Sequence, residues 1–431
     1  MPQRLDSRST DFPQRFADLL AAKREATAEV ETVVRAIISD VAERGDRALV
    51  ELSAKFDRVD VAGLGLRITK GEIDAAEKSC PREALDALAL ARDRIEAYHR
   101  RQKPTDDHFT DRLGVEFASR WSPIDAVGLY VPGGTAAYPS SVLMNAVPAK
   151  VAGVERVVMV VPTPDGMLSP LVLAAAKLAG VDEIYRIGGA QAVAALACGT
   201  ETIKPVAKVV GPGNAYVAAA KRLLFGKIGI DMIAGPSEVL VLADETGQAE
   251  WIAADLLAQA EHDTSAQPVL VTDSVALASG VERAIEHQLR TLPRATVAAA
   301  SWRDFGAIIT VPNLLSAIPL VDRFAPEHLE IVARDADVLA SNVRNAGAIF
   351  IGAHTPEAIG DYVAGCNHVL PTARSARFSS GLGVIDFMKR TSLLKCGPEQ
   401  LRALAPAATA LARAEGLEAH ARSMTIRLNR S

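Results

Sequence analysis

Cysteine is scarce in this chain. Cys80, Cys198, Cys366 and Cys396 are its only four in 431 residues, they lie far apart, and none forms a C-x-x-C pair. A cysteine zinc knuckle is thereby excluded, and a disulfide framework would be sparse for this length. Positive charge is not in surplus either: 47 Lys and Arg stand against 52 Asp and Glu, a net charge of −5. Nucleic-acid binders usually carry a basic surplus or stripe, so no such partner is expected. No run reaches about 18 uninterrupted apolar residues, so no membrane span is expected. The opening MPQRLDSRSTDFPQRF has no apolar core of a secretion signal. Short-period repeats and low-complexity tracts are missing as well. These absences point to a reducing, cytoplasmic, metabolic setting.

What remains is an ordinary globular composition, 49% hydrophobic and 23% charged. The length calls for two or more cores. The first hundred or so residues read as helical: Phe12 to Arg24, Val30 to Phe56 (Val33, Val34, Ile37, Ile38 and Val41 at helical spacing) and Ala84 to Tyr98. From Ile124 short β-branched runs alternate with Ala-rich helical stretches. Expected strands are 126–131, 156–161, 183–187 and 208–210, with helices over 140–152, 169–179, 190–197 and 214–224. A second series follows Pro236, with strands 238–242, 269–272, 307–311, 330–332 and 348–351. Such alternation predicts parallel βαβ units with both sheet faces covered. The similar texture of the two series suggests an ancient duplication. After Arg374 the chain turns polar and ends in helical segments from Pro398 to Met424, too small a tail to hold its own core.

Ligands of open parallel sheets gather at the carboxyl ends of strands. Three turns are placed there by the expected strands: Gly128–Thr135, Gly188–Gln191 and Gly211–Asn214, offering Tyr130, Gln191 and Asn214. The first has neither the G-x-G-x-x-G nor the G-x-x-x-x-G-K-[ST] pattern, and a plain tight turn is an equally good reading. Gln259 and His262 share a helix face at i, i+3 and could grip one ion, although a lone His there is more often a surface or capping residue. Glu327 and His328 adjoin just before a strand and should point in different directions, which suits two separate roles; two solvated residues at a junction is the competing reading. Asp361, His368 and His420 add a carboxylate and two imidazoles. An imidazole, imidazole and carboxylate set with an amide oxygen suits zinc, but its members are too dispersed for residue types to assemble it.

Longer runs carry more. Tyr130 to Asn145 (YVPGGTAAYPSSVLMN), Val210 to Asn214 (VGPGN), Asp231 to Glu238 (DMIAGPSE), Ala258 to His262 (AQAEH), Phe324 to Leu329 (FAPEHL) and Asn367 to Thr372 (NHVLPT) closely resemble the histidinol dehydrogenase family. The resemblance extends over nearly the whole chain and keeps the family's order. It implies an enzyme that oxidises L-histidinol through L-histidinal to L-histidine by two NAD-dependent hydride transfers. It implies Gln259, His262, Asp361 and His420 as ligands of one zinc ion per subunit, His328 as general base and Glu327 as the activator of water. Ser237, Gln259, His262, His328, Asp361, Glu415 and His420 match substrate-contacting positions; Tyr130, Gln191 and Asn214 match NAD-contacting ones. The implied architecture is α/β: two incomplete Rossmann-like parallel-sheet domains with an N-terminal helical arm and a C-terminal helical tail. Residues 1–25 would form the arm, 26–129 with 238–380 the first domain, 130–237 an inserted NAD-binding domain, and 381–431 the tail. A homodimer is implied in which the tail completes the partner's site. Ile385 departs from the family, standing where an aromatic is frequent. Competing readings are a family relative oxidising another small polyol such as a sulfonated propanediol, a zinc hydrolase, and a non-catalytic binding protein.

Overall fold

The computed structural model describes residues 2–22, 28–133, 138–233 and 235–428. Lys23 and Arg24 of the first expected helix, Gly134 and Thr135 of the Gly-rich turn, the following Ala136 and Ala137, and Ala234 lie outside the described residues.

Two parallel sheets organise the chain. One has six strands in the order Gln3–Asp6, Ala307–Thr310, Gln267–Thr272, Glu238–Ala243, His328–Val332 and Ala348–Ile351. The other has five, in the order Glu183–Tyr185, Arg156–Val160, Ala126–Tyr130, Lys208–Val210 and Gly229–Ile230. Apart from the edge strand Gln3–Asp6, the two sheets have the same order. Each starts in the middle, adds two strands to one side, then crosses back and adds two to the other. That is the doubly wound plan without its last strand. The central strands, EVLVLA over Glu238–Ala243 and AVGLY over Ala126–Tyr130, are buried throughout. Helices cover both faces, so their apolar runs need no alternation.

The expected strands of both series are present, but the division of the chain differs from the one expected. Residues 26–129 were assigned to the same domain as 238–380. Instead, the helices Ala28–Arg44 and Asp46–Phe56 bury Val34, Val41 and Leu49 in one core with Ile187 and Val209 of the five-stranded unit. Arg82–Arg100 buries Ala91 and Ile95 with Val127, Met144 and Met159, on the same unit's other core. Strand Ala126–Tyr130 is that sheet's centre. Helical periodicity shows which face is apolar, not which sheet will cover it. The single helix expected over 30–56 is split at Gly45, whose φ of 55° lies in the left-handed region.

The arm is not helical alone. Gln3–Asp6 pairs with Ala307–Thr310, and Phe12 and Phe16 of the next helix stack at 5.5 Å in the core of the six-stranded sheet. The tail contributes Met388–Lys395, antiparallel to Glu116–Pro123, which also pairs with Asp107–Thr110. Its helices Pro398–Ala414 and Glu418–Leu428 pack against each other while Leu394, Leu411 and Ile426 stay exposed. Among the described residues no helix is long and apolar enough to cross a membrane.

Phe16 is 1% exposed and lies under the Arg323 guanidinium. Phe16→Ala is expected to cost roughly 3–5 kcal/mol, read as a lower urea midpoint at unchanged slope. A loss below about 1 kcal/mol would mean the arm is not part of the cooperative fold.

Candidate functional site

The two strands that flank the reversal in the six-stranded sheet, Glu238–Ala243 and His328–Val332, run side by side with His328 opposite Val239. Both begin at the same edge, so Glu238 and His328 meet at the amino ends of their strands. Carboxyl ends were expected to carry the ligand site; here the catalytic candidates gather at the opposite edge. Helix Ala249–Ala260 returns to that edge and delivers buried Gln259, with His262 just beyond its end. Helix Glu357–Tyr362 brings Asp361.

The backbone of Glu238 holds the two adjacent candidates. Its N–H donates to Glu327 Oε2 at 2.9 Å, and its carbonyl lies 3.1 Å from His328 Nδ1. Glu327 and His328 therefore do not diverge as alternating strand positions would, and Nδ1 lies 3.8 Å from Glu327 Oε2. Glu327 precedes the strand, and Ala325 before it adopts φ 47°. A left-handed non-glycine residue ahead of Pro326 bends the chain so that the carboxylate folds back. Gly347 makes the close approach possible on the other side: a Cβ there would lie 2.5 Å from the Glu327 carbonyl oxygen. The Glu238 side chain is buried too and faces Arg374, whose guanidinium covers the Phe324 ring at 4.2 Å and donates to the Phe324 carbonyl at 3.1 Å.

A carbonyl at Nδ1 makes that nitrogen the N–H donor and leaves the lone pair on Nε2. Among the described residues His328 Nε2 is buried without a hydrogen-bond partner, and it lies 3.9 Å from Asp361 Oδ1. Burial lowers the pKa of His328, with Asp361 opposing. His368 shows the same balance; its Nδ1 lies 3.0 Å from the Asp361 carbonyl and its Nε2 3.4 Å from Ser141 Oγ. His262 is solvent-exposed at the helix end yet crowded by surrounding protein, which lowers its pKa against the pull of Asp361. One carboxylate thus acts on three imidazoles. Burial drives Glu327 well above the ordinary carboxyl range, opposed by the Glu238 N–H and by a Ser237 hydrogen bond.

The four expected metal ligands do not converge within one chain. Glu415 and His420 are exposed on the tail helices, and among the described residues no group of three or more His, Cys, Asp and Glu side chains could hold a metal ion. Tyr130, Gln191 and Asn214 stand at the carboxyl ends of the five-stranded sheet. Tyr130, its hydroxyl accepting from Gly189 N–H at 3.0 Å, is pushed up to about 12 by burial. Gln191 is buried, while Asn214 caps the helix Ala215–Leu224 by accepting from two of its N–H groups. Gly211 has φ 107°, and a Cβ there would meet the Tyr130 carbonyl oxygen at 2.2 Å.

Sequence reasoning missed the buried pair Lys221 and Asp231, which grips Gly211 from both sides: Nζ donates to its carbonyl at 3.0 Å, and its N–H donates to Asp231 Oδ2 at 2.7 Å. A Lys one turn after Val217, on the buried face of an Ala-rich helix, was the available signal. Glu357 was also missed; it is 2% exposed, with Oε2 at 3.6 Å from His328 Nδ1.

Comparison with known proteins settles the ancestry. The family model described as histidinol dehydrogenase matches residues 20–428. The chain belongs to the histidinol dehydrogenase family. It is accordingly an oxidoreductase. A histidinol dehydrogenase of Bradyrhizobium diazoefficiens is 72% identical over 431 residues, all of both chains, and one of Rhodopseudomonas palustris is 68% identical over 429 residues, again all of both. The crystal structure of histidinol dehydrogenase from Elizabethkingia anophelis superposes with a TM-score of 0.94 at 33% identity, covering 99% of this chain and 98% of that one.

Burial, with Glu330 and Asp361 adding to it, raises the Glu357 carboxyl well above its ordinary 4.5. A raised carboxyl stabilises the fold fully below its unfolded pKa, and that contribution fades as pH climbs toward the folded value. Chelator-treated Glu357→Gln should therefore melt a few degrees higher than the parent at pH 8 and about equally at pH 4. An equal shift at both pH values in differential scanning calorimetry would remove the charge from the explanation.

Proposed function

We propose that the chain oxidises L-histidinol through L-histidinal to L-histidine, reducing two NAD, in the last two steps of histidine biosynthesis. One observation supports the reading: His328 keeps its Nδ1 on the Glu238 carbonyl and turns toward Asp361 a buried Nε2 that has no hydrogen-bond partner among the described residues, with Glu327 alongside.

The residues suit the two oxidations. In the first, the alcohol oxygen loses its proton to His328 Nε2 as the carbon's hydride passes to NAD. An imidazole whose pKa is lowered is neutral near pH 7 and able to accept it. In the second, Glu327 holds the water that adds to the aldehyde, and the hydrate gives up a second hydride, which a second NAD would take, together with two protons, one to His328 and one to solvent, ending as the carboxylate. Ser237, one residue before the sheet, pulls the Glu327 carboxyl back toward its ordinary range and borders the same space.

The chain's own donors fit a zinc ion: Gln259 and His262 one helical turn apart, and the carboxylate of Asp361, whose charge already acts on His262. His420 would be the fourth donor, brought by a second copy of the chain. Zinc, when bound, supplies a template that fixes the substrate's nitrogens and hence its reacting carbon. Glu415, from the same tail, would pair with the substrate ammonium. The apolar residues left exposed there, with Leu394 and Leu411 each 66% exposed, support a homodimer that covers them. Tyr130, Gln191 and Asn214, around the turn that Lys221 and Asp231 grip, would receive NAD.

Purified enzyme with zinc, NAD and L-histidinol is expected to form two reduced cofactors per substrate consumed, read by absorbance and product analysis. One reduced cofactor with released aldehyde would sink the four-electron reading, and turnover of a sulfonated propanediol but not histidinol would reassign the substrate. His328→Ala should lower kcat by roughly 10²–10⁴-fold with zinc content intact, whereas His262→Ala should lower zinc content. Loss of metal from the first variant would overturn the division of roles.

A further inference from the structure

Behind the site lies a second row of carboxyls, each on an element that carries a site residue. Asp255 stands one helical turn before Gln259 on Ala249–Ala260. Glu330 stands two residues after His328 on the same strand. Glu357 stands one turn before Asp361 on Glu357–Tyr362. Spacings of four on a helix and two on a strand keep each pair on one face. The row repeats, one step deeper, the arrangement of the three side chains above it.

The row is joined within itself. Glu330 Oε1 accepts from the Glu357 N–H at 2.6 Å, tying the strand to the start of helix Glu357–Tyr362. Glu330 and Asp255 confront each other across the strand–helix gap. As two carboxylates they cannot bond, and Glu330 Oε2 then has no partner among the described residues; with one shared proton the gap closes into a hydrogen bond. Their electrostatics favour that proton: Glu330 is driven well above the carboxyl range, and Asp255 is raised to about 6. Glu330 and Glu357 are 1% and 2% exposed, and Glu357 Oε2 reaches toward the His328 ring. Buried carboxyls with unpartnered oxygens are costly. No step of the reaction above uses them.

We propose that Asp255, Glu330 and Glu357 are positioning residues, a carboxyl layer that sets the spacing of Gln259, His328 and Asp361 by locking their three elements together. The inference rests on the zinc reading for its readout, because two of the three supported residues are proposed donors. Partners behind metal ligands commonly change metal affinity by about 10–100-fold when removed. The hydrogen bonds of Glu330, rather than its charge, carry the effect: an amide keeps the acceptor for the Glu357 N–H and offers a donor to Asp255.

The test is zinc binding by chelator competition on full-length enzyme, with the parent, Glu330→Gln and Glu330→Leu. The parent must take up zinc; if it does not, the zinc reading fails and the layer is judged instead by kcat, with the same ranking. Given uptake, Glu330→Leu is expected to bind zinc at least about tenfold more weakly, and Glu330→Gln within about threefold of the parent. Unchanged affinity in Glu330→Leu, even with a lowered melting temperature, would make the layer merely structural and overturn the proposal. Equal losses in both variants would overturn it too. Should Glu330→Leu fail to fold, the half-buried Asp255 carries the same comparison as Asp255→Ala against Asp255→Asn.

Discussion

The site depends on one residue's backbone. Glu238 offers its N–H to Glu327 and its carbonyl to His328, so a carboxylate and an imidazole are fixed against the same short stretch of chain. Backbone at the start of a six-residue buried strand cannot drift, because Glu238–Ala243 is paired on both sides, with Gln267–Thr272 and His328–Val332. The imidazole tautomer follows from that contact, and with it the direction in which His328 can accept a proton. Side chains do the chemistry; the sheet decides where they stand.

Much of this was legible in the amino-acid order, and the misses have physical causes. Arg156–Val160 and Glu238–Ala243 announce themselves because strands buried on both faces are unbroken apolar runs. Asp107–Thr110, exposed along its whole length, has no such run, and Gln3–Asp6 is an edge strand too short to show a period. The chemical types of Glu327, His328 and His262 single them out anywhere. Glu238 could not be found that way, since its contribution is a peptide that any residue possesses. Glu357 looks in sequence like a solvated acid at a helix start; only tertiary packing buries it. Which sheet the helices of residues 28–100 would cover was equally hidden, because an apolar stripe does not name its partner.

The two sheets share a strand order yet carry their candidate residues at opposite edges. The five-stranded sheet presents Tyr130, Gln191 and Gly211 at its carboxyl ends, the usual location in doubly wound folds. The six-stranded sheet presents Glu238 and His328 at its amino ends. Ser141, at the start of the helix after Ala126–Tyr130, lies beside His368, whose other ring nitrogen reaches the Asp361 carbonyl, so one imidazole joins the carboxyl edge of one sheet to the residues at the amino edge of the other.

That opposition has an electrical consequence. Helices alternating with parallel strands start at the carboxyl edge of a sheet and finish at the amino edge. The five-stranded unit therefore turns the positive ends of Pro139–Ala152, Gly189–Cys198 and Ala215–Leu224 toward the shared space, while the other unit turns the negative end of Ala249–Ala260 toward it. Two copies of one topology, joined edge to opposite edge, give their junction a polarity that suits anions on the side of one sheet and cations on the side of the other.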